Sequence, residues 1–234
     1  MPYKRTKERA AGTAFPDMKG DRFFMAKKGE VSDSVIKRLP RYYRFVSELV
    51  RDGTQRISSG ELAKRMSVTA SQIRQDLNCF GGFGQQGYGY NLSELRSEII
   101  RILGIDGSRK IILIGAGNLG MAIANHMNFS DYGFRLIGIF DSDPAKTGAK
   151  TAGLEISGTD TLDDFVRENS PDAAILCIPK ENAKETADHL VELGIRAFWN
   201  FSHCDIAQGN EGVIVENVHL GDSLMLLSYG IANS

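Results

Sequence analysis

Lys110-Ile-Ile-Leu-Ile114 runs without a break into Gly115-Ala-Gly117-Asn-Leu-Gly120, and from there into a segment with helical periodicity. A short apolar run rich in β-branched residues predicts a buried strand. A GxGxxG turn placed directly after a strand and directly before a helix predicts the phosphate-binding turn of a dinucleotide fold. Each glycine has its own task. Gly115 permits the tight turn, Gly117 lets the backbone approach a pyrophosphate, and Gly120 allows close packing of helix on strand. The whole run of Gly115, Ala116, Gly117, Asn118, Leu119 and Gly120 is therefore assigned to the cofactor, with the helix N-terminus facing its phosphates.

Downstream, Phe134–Phe140 reads as a second strand and ends in Asp141, 21 residues after Gly120. A carboxylate there accepts hydrogen bonds from the adenosine ribose hydroxyls and repels a 2′-phosphate, so NAD(H) is expected rather than NADP(H). Lys146 either flanks the adenosine end or is a solvated surface lysine. Asp172–Ile178 reads as a further buried strand that brings Cys177, Ile178 and Pro179 to the ligand-binding edge. Cys177 also fits the reading of a small buried apolar residue. Ile195–Asn200 reads as the next strand, delivering Asn200 and Phe201 to the same rim. Strands alternating with helices predict a parallel sheet covered on both faces, a Rossmann domain over 109–217.

Upstream, the glycine-rich stretch Gly81–Gly89 separates this α/β pattern from a helical one. A long helical segment spans Ser34 to Val50. Ser58 with Glu61 and Thr69 with Gln72 each have the spacing of a capping box. Helix Glu61–Met66, a tight turn and helix Ala70–Phe80 then form a helix-turn-helix, whose second helix enters the major groove of DNA. Ala70, Ile73, Leu77 and Phe80 recur at helical spacing and point inward. Ser71, Gln72, Gln75 and Asn78 project outward to base edges, while Lys64, Arg65 and Arg74 suit phosphates. Phe83–Tyr90 reads as a β-hairpin wing, with Gln85, Gln86 and Tyr88 assigned to DNA. The winged-helix domain is placed at 31–91, after a tail at 1–30, and a linking helix near Leu92–Leu103 fills 92–108.

The charge distribution agrees with this division. A formal net charge of -1 hides 17 Lys+Arg against 9 Asp+Glu in residues 1–78, and 11 against 20 in the remainder. A basic first third on an acidic remainder points to a polyanionic partner for the N-terminal part. With 42% hydrophobic and 24% charged residues the chain reads as globular. No membrane partner is expected, and the charged opening stretch predicts a cytoplasmic protein. Cys79, Cys177 and Cys204 are too few and too widely spaced for a disulfide framework or a CxxC zinc site. His126, His189, His203 and His219 show no metal-ligand spacing. Ser202-His203-Cys204-Asp205 lacks a base and oxyanion donor in fixed geometry, so no catalytic residue and no enzyme are expected. The alternative is an NAD-dependent oxidoreductase with an accessory helical domain.

Over residues 32 to 232 the combination closely resembles the Rex family of redox-sensing transcriptional repressors. The resembling stretches are IKRLPRYYRF, SSGELAKRMSVTASQIRQDL, FGGFGQQGYGY, IILIGAGNLG, GIFDSDPAKTG, WNF and LLSYGI. The resemblance implies a homodimer that binds operator DNA when NAD+ dominates and leaves it when NADH rises. It places Gly115 to Gly120 and Asp141 at the cofactor, and Arg41, Arg44, Arg74 and the wing at DNA. The chain departs from the family pattern in three places: Gln85-Gln86 stands where a Lys-Arg pair is common, Gln75 where lysine is common, and His126 where a tyrosine is usual near the nicotinamide. Val218–Ile231 is apolar on more than one helical face, which calls for a second surface beyond the segment's own domain. The resemblance implies that 218–234 holds a helix swapped between the two protomers; an ordinary buried terminal helix is the other reading.

Overall fold

Pro40 decides where the first long helix begins. The periodicity predicts one helix from Ser34 to Val50, yet there are two, α1 over Asp33–Ile36 and α2 over Leu39–Arg51. A proline ring clashes with the carbonyl four residues upstream and offers no amide hydrogen, so Pro40 fits only in a first turn and the helix restarts there. The computed structural model describes residues 31–80, 84–85 and 88–233. The tail 1–30 and Gln86 lie outside the described residues, as does the side chain of Gln85.

After the short strand β1 (Arg56–Ile57), helix α3 (Ser59–Met66) opens on the predicted capping box: Ser58 Oγ accepts the Glu61 amide at 3.1 Å, and the Glu61 carboxylate accepts the Ser58 amide at 3.0 Å. Helix α4 (Ala70–Asn78) is capped from one side only. Thr69 Oγ1 accepts the Gln72 amide, but the Gln72 side chain turns to Asp76 instead of returning to the cap. The helix stops two residues short of Phe80, which is nonetheless buried, as are Ile73 and Leu77. Strands β2 (Gly84–Gln85) and β3 (Gly89–Asn91) complete an antiparallel sheet in the order β1-β3-β2. Gly89 has φ +70°, and a β-carbon there would meet the Ile57 carbonyl oxygen at 2.5 Å. Helix α5 (Leu92–Leu103) follows with the predicted boundaries.

The second unit alternates as expected: β4 (Arg109–Ile114), α6 (Asn118–His126), β5 (Phe134–Asp141), β6 (Lys150–Thr151), β7 (Leu154–Gly158), α7 (Leu162–Asn169), β8 (Ala173–Leu176), α8 (Lys180–Glu192), β9 (Ala197–Asn200), β10 (Ile214–Asn217) and α9 (Leu220–Ala232). The sheet runs β10-β9-β8-β4-β5-β7-β6 and is parallel except for β6. Without β6 this is the doubly wound order of dinucleotide-binding domains, with the direction of winding reversing between β4 and β8. Side chains alternate across the sheet into two cores. Ile112, Ile114, Phe140, Ala174 and Leu176 go to one side, and Ile111, Leu113, Ile139, Ala173 and Ile175 to the other. Burial on both faces explains the near-continuous apolar runs of β4 and β8. The predicted strands 172–178 and 195–200 are trimmed to 173–176 and 197–200, because the chain leaves the sheet at the rim. The chain divides into two compact units inside α5, between Ser97 and Glu98, upstream of the expected domain start at 109.

Candidate functional site

A cavity of 830 Å³ opens at the carboxyl ends of β4 and β8, where the winding reverses and where ligands of such sheets bind. Its walls include Ile114, Gly115, Gly117, Asn118 and Leu119 from the glycine turn, Asp141 and Lys146 after β5, and Cys177, Ile178 and Pro179 after β8. Nine of the predicted cofactor residues thus meet around one space. Gly115 has φ +99°, and a β-carbon there would lie 2.5 Å from the Cys177 carbonyl oxygen. Any side chain at Gly120 would collide with the Gly115 carbonyl. Gly117 differs, since an added β-carbon would meet nothing within 4 Å and would project into open space. Gly117 is also the N-cap of α6, and no side chain caps that helix. The first amides of α6 and its positive dipole end therefore suit a pyrophosphate, and the fit to a dinucleotide rests on this cradle.

Asp141 is buried, with only 7% of its surface exposed. One carboxylate oxygen, Oδ2, accepts the Ala116 amide at 2.7 Å and Lys146 Nζ at 2.9 Å; Oδ1 accepts the Asp143 amide at 2.9 Å. Burial pushes this carboxyl up, but the Asp143 amide, the Lys146 ammonium and the Ala116 amide together outweigh it and hold the group below the usual carboxylate range. A carboxylate has about four acceptor positions, so three are taken and Oδ1 keeps one for a ribose hydroxyl. Lys146 is thus no free surface lysine: it lines the cavity as the counter-ion of Asp141. Burial pushes the Cys177 thiol up to about 12, which keeps it protonated at neutral pH.

Asn200 and Phe201 do not line this cavity. Asn200 is fully buried; its amide donates to the Cys204 carbonyl and to Asn217 Oδ1, and its oxygen accepts from the Ser202 backbone and hydroxyl. Phe201 packs edge-on against Trp199 at 4.8 Å. His126 is the exposed last residue of α6, about 12 Å along the helix from its first turn, and lines no part of the cavity. Asn182, Glu185, Thr186 and His189 form a wall that the sequence reading missed. Their spacing of three and four residues is a polar stripe along one helix face, and that signal was available. His189 Nε2 contacts Asp163 Oδ1 at 2.6 Å. His203 and His219 pair through space, Nδ1 to Nδ1 at 2.7 Å, although 16 residues apart. No group of three or more possible metal ligands occurs among the described residues.

On the winged-helix unit, Ser71, Gln75 and Asn78 form an exposed edge of α4, as the helical spacing predicts. Arg44, Lys64 and Arg65 are exposed, and their side chains make no hydrogen bond to the described residues. Arg74 is exposed too, and Nη1 reaches Ser59 Oγ at 3.1 Å. Two of the assigned side chains have partners within the protein. Arg41 donates to the Met66 carbonyl at the end of α3, so part of its guanidinium closes the turn before α4. Gln72 is half-buried and donates to Asp76 Oδ1 at 2.7 Å, because a buried carboxylate is a stronger acceptor than water. Tyr88 is 71% exposed beside β3.

A winged helix-turn-helix and a dinucleotide-type Rossmann unit on one chain define a DNA-binding regulator that responds to a small ligand. The family model described as a putative DNA-binding protein N-terminus matches residues 30–78, and that of the CoA binding domain matches 106–204. The redox-sensing transcriptional repressor Rex of Thermoanaerobacter pseudethanolicus is 55% identical over 88% of this chain and 91% of its own length. The Rex of Caldicellulosiruptor saccharolyticus is 51% identical, over 88% of this chain and 93% of its own. A crystal structure of RSP in complex with β-NAD+ and operator DNA matches with a TM-score of 0.81 at 53% identity, covering 88% of this chain and 94% of that one. RSP in complex with β-NADH matches with a TM-score of 0.80 at 50% identity, over 88% of this chain and 96% of that one. The chain belongs to the Rex family of redox-sensing transcriptional repressors.

Proposed function

We propose that this chain is a redox-sensing transcriptional repressor that holds operator DNA through its winged-helix unit and is released when NADH rises relative to NAD+. The observation that carries the reading is the cleft at the β4–β8 switch point, with open space at Gly117 and a buried acceptor at Asp141, on the same chain as the exposed polar edge of α4. The first turn of α6 binds the pyrophosphate, and Asp141 accepts a ribose hydroxyl while Lys146 holds its charge in place. When bound, NAD(H) supplies the redox information, because its nicotinamide ring is cationic in one state and neutral in the other. Arg44, Lys64, Arg65 and Arg74 meet phosphates, and Ser71, Gln75 and Asn78 meet base edges.

The chain acts as a regulator rather than an enzyme and works in the cytoplasm. Supporting the first point, burial keeps the Cys177 thiol that lines the cleft protonated, and so a poor nucleophile. No helix among the described residues is long and apolar enough to cross a membrane. The working unit is a homodimer, a reading supported by the exposed apolar surface of α9. The test is selection of bound duplexes from a random DNA pool with NAD+ and NADH in parallel. Enrichment of one two-fold symmetric sequence with NAD+, and its loss with NADH, is expected. Identical pools under the two cofactors would overturn the redox response, and turnover of NADH with a carbonyl substrate would overturn the regulatory role.

A further inference from the structure

Asp76 is a buried carboxylate on α4, with 1% of its surface exposed, and nothing in the function described so far uses it. Four donors converge on it. Arg38 gives Nε to Oδ2 and Nη2 to Oδ1, both at 2.7 Å; Tyr42 gives its hydroxyl to Oδ2 at 2.9 Å; Gln72 gives its amide to Oδ1 at 2.7 Å. About four acceptor positions are available on a carboxylate, so this one is saturated. Arg38 is the N-cap of α2 and Tyr42 lies one turn into that helix, while Gln72 stands in the first turn of α4. The carboxylate therefore ties the start of α2 to the last turn of α4, and Gln72, one turn back on α4 itself, braces it.

Buried ion pairs add little net stability, since desolvation cancels most of the attraction; a saturated one instead admits a single arrangement. Gln72 and Asp76 occupy one stripe of α4, and Ser71 and Gln75 occupy the stripe one residue back, about 100° round the helix. A clamp on the first stripe fixes the angle at which the second faces outward. Building on the functional reading above, we propose that Asp76 is a positioning residue for sequence-specific DNA binding. Acting through Arg38 and Tyr42 of α2, with Gln72 bracing the carboxylate from within α4, it locks the rotation of α4 so that its polar edge meets base edges. Gln72 on this view belongs to the clamp rather than to the set that reads bases.

The test uses the full chain, the duplex selected by the wild type, and a scrambled duplex of equal length. Asp76→Asn keeps the size of the side chain and withdraws the charge that holds Arg38. It is expected to lose on the order of tenfold in affinity for the selected duplex and far less for the scrambled one. Gln72→Leu is expected to lower the same ratio. The double variant should fall no further than Asp76→Asn alone, because both act through one network. Val46→Ala, a truncation in the core of α2, supplies the stability control: it should lower Tm and leave the ratio unchanged. NADH binding, followed by fluorescence, reports that the other unit is intact in every variant. If Asp76→Asn does not fold, Arg38→Lys takes its place in the cycle, since lysine keeps the charge and loses the two-pronged geometry. Wild-type selectivity in both single variants, additive losses in the double variant, or an equal loss in Val46→Ala overturns this inference alone. A wild type that selects no sequence overturns the functional reading and this inference with it.

Discussion

Asp141 and its lysine set how the cleft treats a phosphate on the adenosine ribose. With Asp141 in place, the Lys146 charge is spent on the carboxylate at 2.9 Å. In Asp141→Ala the repulsion is removed and the ammonium is released together, so NADPH should gain affinity while NADH loses it. The NADH preference is expected to narrow by on the order of tenfold or more, read by fluorescence titration of both reduced cofactors. The variant should also melt earlier, because the Ala116 amide loses its acceptor. A wild type that binds the two cofactors equally would refute the assignment of Asp141. The glycines offer a sharper contrast. Gly117→Ala should fold normally and bind NADH poorly, since the methyl enters open space that a pyrophosphate needs. Gly115→Ala should lower Tm instead, with left-handed backbone strain of about 1–2 kcal/mol added to its clash with the Cys177 carbonyl. Melting curves and NADH titration of the same two proteins separate the effects.

Along single elements, the sequence was most legible where the cause is local. The capping box of α3, the run of β4 into the glycine turn, and the boundaries of α5 depend on residues a few positions apart, and all three stand as predicted. The signal of Pro40 is equally local, and it outweighs the longer periodicity that predicts one helix. What could not be read was contact at a distance. Arg38 and Asp76 are 38 residues apart, so the clamp has no spacing to reveal it, and Gln72 passed for an outward-facing residue. Asn200 was misplaced for a related reason: a strand end can deliver a side chain to the rim or fold it back onto its own loop, and only the partners at Cys204 and Asn217 decide. Strand β10 escaped notice because Ile-Val-Glu-Asn is only half apolar. The clamp also implies a pH dependence. Burial pushes the Asp76 carboxyl up, but Arg38, Tyr42 and Gln72 outweigh it and hold the group below its ordinary value. A carboxyl depressed by folding contributes stability that is complete above its unfolded value and is lost as pH falls through the folded one. The gap in Tm between wild type and Asp76→Asn should therefore be constant from about pH 7 to 5 and shrink below about pH 4. A gap that widens on acidification would mean the carboxyl is not ionised in the fold.

For the whole molecule, α9 is the feature to be explained. Leu224, Met225, Leu226, Leu227 and Tyr229 are 59–73% exposed, on more than one face of a single helix. Burying each of these side chains contributes about 1.5–3 kcal/mol, enough in sum to hold two copies together. Truncation after Gly221 is expected to yield a monomer by sedimentation, with operator affinity reduced and NADH response lost; a shortened chain that remains dimeric and responsive would remove α9 from the coupling. A dimer also explains how a ligand in one unit can act on DNA held by another, since two recognition helices must match half-sites about one turn of DNA apart or a multiple of it. In such a dimer NADH would release DNA only by the difference in its affinity for two dimer arrangements, a coupling typically of about 1–3 kcal/mol.

If a second copy covers α9, as proposed, the amount of protein in the cell becomes a variable of the sensor. A subunit whose apolar helix is covered only by a second copy exchanges stability for concentration, since dimer population follows mass action. In the proposed dimer, at low copy number part of the pool would be single chains unable to span both half-sites, and promoters would escape control whatever the cofactor ratio. Repression then reads a product of two quantities, the redox state and the dosage of the repressor itself. A gene for such a chain placed under its own operator would hold that dosage near the threshold for dimerisation, where the response to NADH is steepest.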